Sequence, residues 1–245
     1  MSQQTYPPLN TLKPVDNDIW IVDGDVIRFG PPGLRFPFPT RMTIIRVGQI
    51  LFVHSPTELT PRLAAEIDHL GAPGWIIGPN RLHYWWIADW CKAYPHSRIY
   101  LAPRIREQAG KKITFQADVL SESVVRPWDS AIATLAVPGS YMTEFVFFHR
   151  TIRTLVLTDL IENFEPQKLG LIGRWMTRLG GVQDPDGKTP RDLRMTFLRN
   201  KSELRKAVET MIAWQPQRII LAHGRWYTTD GVTELRRAFR WLLAR

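Results

Sequence analysis

The stretch GWIIGPNRLHYWW, residues 74–86, guides the assignment of the fold. It begins as an apolar strand over residues 75–77 and is stopped at once by Gly78-Pro79-Asn80. The polar side chains that follow this turn are Arg81, His83 and Tyr84. A strand that ends in a rigid turn holds the next side chains at a fixed point on the rim of a sheet, where catalytic groups commonly lie.

Two other apolar segments end in the same way. Residues 155–158 (LVLT) lead into Asp159, and residues 219–222 (IILA) lead into His223. Two imidazoles and one carboxylate are a common ligand set for a catalytic zinc or iron ion that keeps one position open. If the three strand ends meet, His83, Asp159 and His223 form a metal site. Taken singly, each also fits a hydrogen-bonded core histidine or a turn aspartate.

Length and composition indicate one basic domain over residues 1–245. Hydrophobic residues make up 44% of the chain, which is sufficient for a substantial core. Lysine and arginine number 32 against 23 acidic residues, and the net charge of +9 favours a small anionic substrate or ligand, or an anionic macromolecule. The charge is spread along the chain, however, as it is in many soluble proteins.

Other features of the sequence bear on the cellular compartment in which the protein acts. Cys91 is the single cysteine, so the chain can form neither an intrachain disulfide nor a cysteine-based zinc site. No uncharged apolar run approaches about 18 residues, so we expect no membrane span. The first residues lack the basic and apolar regions of a signal peptide. Together these features favour a cytoplasmic protein.

The first third of the chain has the pattern of β structure. Asp-Gly-Asp at 23–25 predicts a hairpin within residues 19–29, and Gly48 predicts a second hairpin within residues 42–53. The proline-rich segment 30–39 is predicted to be an exposed loop.

From there on, helices and strands alternate. A helix is predicted after Thr60, which caps it, and ends at Gly71. Further strands are predicted at 131–137, 144–148, 154–158 and 218–222, and further helices at 202–214 and 233–243. Two halves that each contain strands followed by helices predict a layered α/β domain with two sheets at its core.

A basic helical insertion is predicted at about 160–200. It either packs across the site as a lid or mediates a dimer. Together with Trp175, the arginines of this insertion are compatible with nucleic-acid binding; they are Arg174, Arg178, Arg191, Arg194 and Arg199. We do not favour a nucleic-acid partner, because no recognised binding motif accompanies these residues and arginines spread along a helix are typical of a solvated face.

In their order and context these segments resemble the metallo-β-lactamase fold, an αββα four-layer sandwich, over nearly the whole chain. More closely, four segments are similar to the lactamase-like family known as domain of unknown function 4336. They are RMTIIRVGQILFVHSP, the PN..H turn, AYPHSRIYLAP and FVFFHRTIRTLVLTDLIENF. The resemblance to the superfamily implies a dinuclear metal site, usually of zinc or iron, and often hydrolytic chemistry.

The sequence departs from the superfamily where the first metal-binding motif, His-x-His-x-Asp-His, is expected. Residues 79–84 (PNRLHY) correspond to it. Both early histidines are therefore replaced, and Arg81 stands where a ligand is usual. His83 falls near the usual aspartate, and Tyr84 falls near the last histidine.

The other expected ligands are partly retained. The mid-chain Gly-His is Gly139-Ser140 here, and His54 stands where an early aspartate is expected. Asp159 and His223 are retained. The resemblance therefore implies that one of the two metal positions is lost, while the other survives.

Two functions are compatible with this pattern. The first is a mononuclear metalloenzyme that holds one zinc, iron or manganese ion and hydrolyses an ester or phosphoester substrate. In this interpretation the side chains that orient the substrate or stabilise a developing oxyanion are Asn80, Tyr84 and His149. The retained ligands favour this function.

The second function is that of a metal-free, catalytically degenerate descendant of the fold. It would bind an anionic ligand or a macromolecule in the vacated cleft through Arg81, with His54 and Ser140 as further ligand-binding residues. Alternatively, Arg81 merely pairs with Asp159 and fills the vacated position. The fold itself does not decide between an enzyme and a binding protein.

Overall fold

The computed structural model describes residues 4–30 and 35–244. The described chain forms two compact units, one up to residue 120 and the other from residue 121 onwards. Among the described residues, the structure contains no helix with the length and apolar character needed to cross a bilayer.

The first unit is built on a seven-stranded sheet whose strands follow one another in chain order. The strands are β1 (Lys13–Asp16), β2 (Ile19–Phe29), β3 (Phe36–Val47), β4 (Ile50–His54), β5 (Ala72–Gly78), β6 (Arg98–Leu101) and β7 (Asp118–Val119). Strands β1 to β4 pair antiparallel, and β4 to β7 pair parallel. The helices of this unit are α1 (Pro61–Leu70), α2 (Ile87–Ala93) and α3 (Ile105–Ala109).

Local sequence signals account for the centre of this sheet. The predicted hairpin at 42–53 is confirmed, with Gly48 at a φ of +63° in the turn between β3 and β4. The predicted helix is also confirmed: the hydroxyl of Thr60 accepts a hydrogen bond from the N–H of Leu63. Parallel strands need a crossover connection, and α1 supplies it between β4 and β5. This crossover brings the carboxyl ends of β4 and β5 to one edge, where residues 54 and 78–80 lie.

The predicted hairpin at 19–29 is wrong, because these residues form one continuous strand, β2, with a bulge after Asp23. Asp23 is buried and accepts a hydrogen bond of 2.8 Å from Arg41 on β3. A Cβ atom at Gly24 would lie 2.4 Å from the hydroxyl oxygen of Thr40. The Asp-Gly-Asp sequence therefore serves a buried ion pair and a close approach between strands, not a turn.

The predicted loop at 30–39 is wrong from Phe36 onwards, where β3 has already begun. Residues 31–34 lie outside the described residues. Pro37 and Pro39 pair with β2, whereas β4 pairs with β3 only over residues 43–47. On the side of β3 away from β2, no described strand pairs with the two prolines. Their missing N–H groups therefore remove no backbone hydrogen bond to a second neighbouring strand.

The second unit is built on a four-stranded sheet of order β11-β10-β9-β8. The strands are β8 (Ile132–Pro138), β9 (Thr143–His149), β10 (Thr154–Leu157) and β11 (Arg218–Leu221). Strands β8, β9 and β10 form an antiparallel meander, and β11 pairs parallel with β10. All four strands agree with the predictions to within two residues.

Between β10 and β11 the chain forms the helices of the predicted insertion and the helix after it: α4 (Leu171–Gly180), α5 (Arg191–Thr196) and α6 (Lys201–Ala213). Helix α6 buries the apolar face that its sequence predicts, including Leu204, Val208 and Met211. The predicted last helix is divided in two, α7 (Gly231–Ala238) and α8 (Arg240–Leu243), with buried Phe239 at the break.

Candidate metal centre

Asp159 and His223 lie at the same edge of the four-stranded sheet. They follow the parallel neighbours β10 and β11, which are in register with Leu157 opposite Leu221. Parallel strands end at a common edge, and here the Oδ1 atom of Asp159 lies 3.2 Å from the Nε2 atom of His223. Both side chains are almost completely buried, 9% and 5% exposed. The second unit therefore brings together two of the three predicted metal ligands.

The turn that carries Asp159 is held by a buried acid that the sequence analysis missed. Glu144 is the second residue of β9 and lies next to the carboxyl end of β10. Its carboxylate accepts backbone hydrogen bonds from Thr158 (2.7 Å), Asp159 (2.9 Å) and Leu160 (3.1 Å). Burial and the charge of Asp159 raise the pKa of Glu144 above its usual range. One signal was available, since an acidic residue opens the otherwise apolar strand EFVFF.

Glu162 is a further buried acid of the same unit. Glu162 follows Asp159 by three positions and is only 8% exposed. The pKa of Glu162 is raised to about 8, chiefly by burial; the charge of His223 acts against this rise, and the charge of Asp159 adds to it. The unit thus gathers three buried carboxyl groups beside one imidazole. Such a concentration of acidic groups favours a cation or retained protons.

These retained protons predict a pH dependence of stability for the protein freed of metal by chelation. The unfolded chain releases the Glu162 proton near pH 4.5, whereas the folded protein holds it until about pH 8. Between these values the folded state binds more protons, so the free energy of unfolding falls as the pH rises, at a limiting slope of about 1.4 kcal/mol per pH unit. We expect Glu162→Gln to flatten this slope between pH 7.5 and 8.

Denaturant unfolding at several pH values measures the slope, and Glu209→Gln, on the exposed side of α6, is the matched control. The window lies above the ordinary histidine pKa, so His54 contributes little within it. A slope that is the same in the wild type and in Glu162→Gln would show that Glu162 does not hold its proton.

His149, predicted as a catalytic residue, lies elsewhere. It ends β9 opposite Thr154, at the start of β10, whereas Asp159 follows the other end of β10. The Nδ1 atom of His149 accepts a hydrogen bond of 3.1 Å from the N–H of Ile152 and so closes the β9–β10 turn. The antiparallel pairing places His149 and Asp159 at opposite edges of the sheet, and the predicted catalytic role of His149 stays a prediction.

Ser140 lies in the turn between β8 and β9, at the same edge of the sheet as Asp159. It is exposed, and its backbone N–H donates a hydrogen bond of 3.0 Å to the carbonyl of Thr196. Its predicted part in ligand binding stays a prediction.

In the first unit, His83 is oriented by a residue that the sequence analysis did not single out. The Nδ1 atom of His83 lies 2.6 Å from the hydroxyl of Ser55, which follows β4. The side-chain oxygen of buried Asn80 accepts a hydrogen bond from the N–H of Leu82, and its carbonyl accepts one from the N–H of His83. Asn80 therefore shapes the loop that carries His83, and its predicted catalytic role stays a prediction.

His54, at the end of β4, is buried with 1% exposure. Burial, and secondarily the charge of His83, lower the pKa of His54 to about 3, so the ring is neutral at physiological pH. The first unit therefore brings two imidazoles, His54 and His83, to the carboxyl edge of β4 and β5.

The side chains that flank His83 have interactions of their own. The guanidinium of Arg81 donates a hydrogen bond of 2.6 Å to the side-chain oxygen of Gln108. Tyr84 is buried and stacks on Trp85 with ring centroids 5.7 Å apart, and Lys112 lies over both rings. The predicted roles of Arg81 in ligand binding and of Tyr84 in catalysis stay predictions.

Comparison with known proteins identifies the fold. The sequence matches no family profile and no curated protein. Among solved structures, the chain is similar to the metallo-β-lactamase DIM-1 exposed to ceftazidime (TM-score 0.64, 10% identity, covering 99% of this chain and 98% of that one). It is also similar to a metallo-β-lactamase from Hirschia baltica (0.60, 16%, 94% and 96%). A third similar structure is the mono-zinc form of FIM-1 from Pseudomonas aeruginosa (0.58, 13%, 95% and 96%).

These similarities confirm the predicted fold class: the chain has a mixed α/β fold of the metallo-β-lactamase type. At identities this low, they establish the fold alone.

Proposed function

We propose that the protein is a metal-dependent hydrolase that holds a single ion through His83, Asp159 and His223. The observation that carries the proposal is the buried contact of 3.2 Å between His223 Nε2 and Asp159 Oδ1. In a tetrahedral zinc site the metal–ligand distances of about 2.0–2.1 Å put neighbouring ligand atoms about 3.3 Å apart. The observed separation matches that value, so this pair of residues fits the metal that the fold implies.

His83 would complete the set, since each of the three residues offers one ligand atom. Ser55 engages the Nδ1 atom of His83, so Nε2 is the nitrogen that we assign to the ion. A hydrogen bond to the other ring nitrogen fixes the tautomer and the orientation of a ligating histidine. Glu144 acts similarly for Asp159, because its three backbone hydrogen bonds fix the turn on which that ligand lies.

A bound zinc, iron or manganese ion would supply Lewis acidity towards an ester or phosphoester group. The chain's own residues would then orient the substrate. We assign the anionic part of the substrate to the guanidinium of Arg81, which matches carboxylate and phosphate groups in shape and charge. Asn80 and Tyr84 are proposed to contact the reacting group, with His54 and Ser140 in ligand binding, whereas His149 has no part in this proposal because of its position at the opposite edge.

A degenerate, metal-free protein that binds an anionic ligand is the second candidate. It is favoured by the cation at position 81, where the resemblance to the superfamily implies a metal ligand. In that case Arg81 would replace the lost metal charge, and no reaction would follow.

We also propose that the chain is related to the family called domain of unknown function 4336 and acts in the cytoplasm. The four sequence segments quoted above support the relationship. The single cysteine supports the location, because a chain with one cysteine forms no intrachain disulfide.

The metal content of the purified protein tests the proposed function. We expect about one zinc, iron or manganese ion per chain in the wild type, prepared without chelator or metal-affinity tag, and a loss of that ion in His223→Ala. His69→Ala is the matched control, because His69 is exposed on α1. Circular dichroism verifies that both variants fold.

Elemental analysis distinguishes the two candidates. A folded wild-type protein that binds no ion even after incubation with each of the three metals would overturn the enzyme proposal. Loss of the ion in His83→Ala as well would support the full ligand set, whereas an unchanged ion content would exclude His83 from it.

A further inference from the structure

Helix α4 has the reverse of the usual arrangement of an amphipathic helix. None of its residues is buried. Its large apolar side chains are strongly exposed: Leu171 at 84%, Ile172 at 74%, Trp175 at 68% and Leu179 at 51%. At about 100° per residue, these four side chains lie within one arc of the helix surface. An ordinary surface helix turns such a face towards the core.

The polar side of α4 faces its own unit. The side-chain amide of Gln183 donates hydrogen bonds to the carbonyl of Arg174 (2.8 Å) and to the hydroxyl of Thr177 (3.0 Å). The Nε atom of Arg174 donates to the carbonyls of Pro166 and Leu169. Because these hydrogen bonds attach the polar side of α4 to the rest of the unit, the apolar face is turned towards the solvent.

The neighbouring segment contributes two further exposed apolar side chains. Helix α5 contacts α4, and Met195 on α5 and Leu198 just after it are 69% and 60% exposed. We call these six residues the apolar patch: Leu171, Ile172, Trp175, Leu179, Met195 and Leu198. A concentration of large exposed apolar side chains on a folded protein marks a surface that meets another apolar phase or partner.

The charge around α4 indicates the nature of that phase. From Pro166 to Val182 the sequence contains three basic residues, Lys168, Arg174 and Arg178, and no acidic residue. Arg174 and Arg178 are exposed. Around the helix axis both arginines lie on the side of Leu171, just outside the apolar face. A second copy of the chain would bring the same positive charges against them, whereas anionic lipid headgroups would neutralise them.

We propose that α4 docks this protein on an anionic lipid surface. The helix would lie in the plane of the interface, with Trp175 and its apolar neighbours among the acyl chains and with Arg174 and Arg178 at the headgroups. A bilayer also accepts protruding side chains without a complementary shape, which suits the uneven face of a helix bearing tryptophan, isoleucine and leucine. The proposed metal site has no part in this proposal.

Vesicle sedimentation tests the docking with the whole protein. We compare vesicles of pure phosphatidylcholine with vesicles of equal parts phosphatidylcholine and phosphatidylserine. We expect the wild type to sediment with the anionic vesicles only, and less so as salt is raised. The double variant Ile172→Ser/Trp175→Ser should lower the partition coefficient by about tenfold or more.

Val125→Ser is the matched control, because Val125 is a 90% exposed apolar residue of the same unit outside the apolar patch. All the substituted side chains are exposed, so the thermal midpoints should agree with that of the wild type, which a melting curve checks. Arg178→Gln should weaken sedimentation and reduce its dependence on salt, and it leaves the hydrogen bonds of Arg174 in place.

Three results would overturn the proposal: no sedimentation with anionic vesicles, equal sedimentation with pure phosphatidylcholine, or sedimentation that Ile172→Ser/Trp175→Ser leaves unchanged. Light scattering tests the alternative that a second copy of the chain binds the apolar patch. A wild-type dimer that this double variant converts to a monomer, without vesicle binding, would assign the apolar patch to self-association instead.

Discussion

Glu144→Ala is expected to lower the free energy of unfolding by about 3–5 kcal/mol. The substitution removes the acceptor of three buried backbone N–H groups, those of Thr158, Asp159 and Leu160. Each unsatisfied buried donor costs about 1–3 kcal/mol, and partial entry of water reduces the sum. Because the same bonds fix Asp159, the variant should also bind metal more weakly. Denaturant unfolding and elemental analysis measure the two effects.

Glu122→Ala provides the control for this substitution. Glu122 accepts a single backbone hydrogen bond of 2.8 Å, from Ala136, and does so at the surface. Its removal should cost no more than about 1 kcal/mol, because water can replace the lost acceptor. Equal losses in the two variants would contradict the role given to Glu144. Glu144→Gln keeps one acceptor oxygen and should fall between them.

Asp23→Ala is the second substitution with a large expected effect, again about 3–5 kcal/mol of unfolding free energy. The carboxylate of Asp23 is 4% exposed and pairs with Arg41, which is 2% exposed, and with Lys13. Its removal leaves the Arg41 guanidinium buried without this counter-charge. Lys13, at 21% exposure, can turn towards water.

Asp18→Ala is the matched control, since Asp18 pairs with Arg46 on the same strand β3, but both side chains are well exposed (43% and 35%). We expect a change of about 0–1 kcal/mol for it. The double variant Asp23→Ala/Arg41→Met should recover much of the lost unfolding free energy, because it also removes the buried guanidinium charge that had paired with Asp23. A double variant as unstable as Asp23→Ala would indicate that packing at position 23, and not charge, is responsible. Chemical denaturation measures all four proteins.

The elements that the sequence predicts correctly are those whose cause is local. Thr60 and Gly71 delimit α1 through contacts within the helix itself, and Gly48 makes its turn by its own backbone conformation. Asp159 and His223 were found because each directly follows an apolar strand. The sheet then brought this pair together, as the common edge of parallel strands requires.

The elements that the sequence predicts wrongly or misses depend on distant residues. Asp-Gly-Asp at 23–25 has the composition of a turn, but its conformation is decided by Arg41 and Thr40, which approach from β3. Glu144 was missed because the N–H groups it accepts from lie at least fourteen positions further along the chain. No local pattern of hydrophobicity reports such contacts.

The parallel pairing of β10 with β11 bears on the order in which the protein is assembled during translation. The meander β8–β9–β10 is contiguous in the chain and can form as it leaves the ribosome. Thr154, however, pairs with Arg218, so β11 joins only after three further helices have been synthesised. Until then the nascent chain carries Asp159 at an open sheet edge without its histidine. The Asp159–His223 pair is therefore among the last contacts of its unit to form on the ribosome.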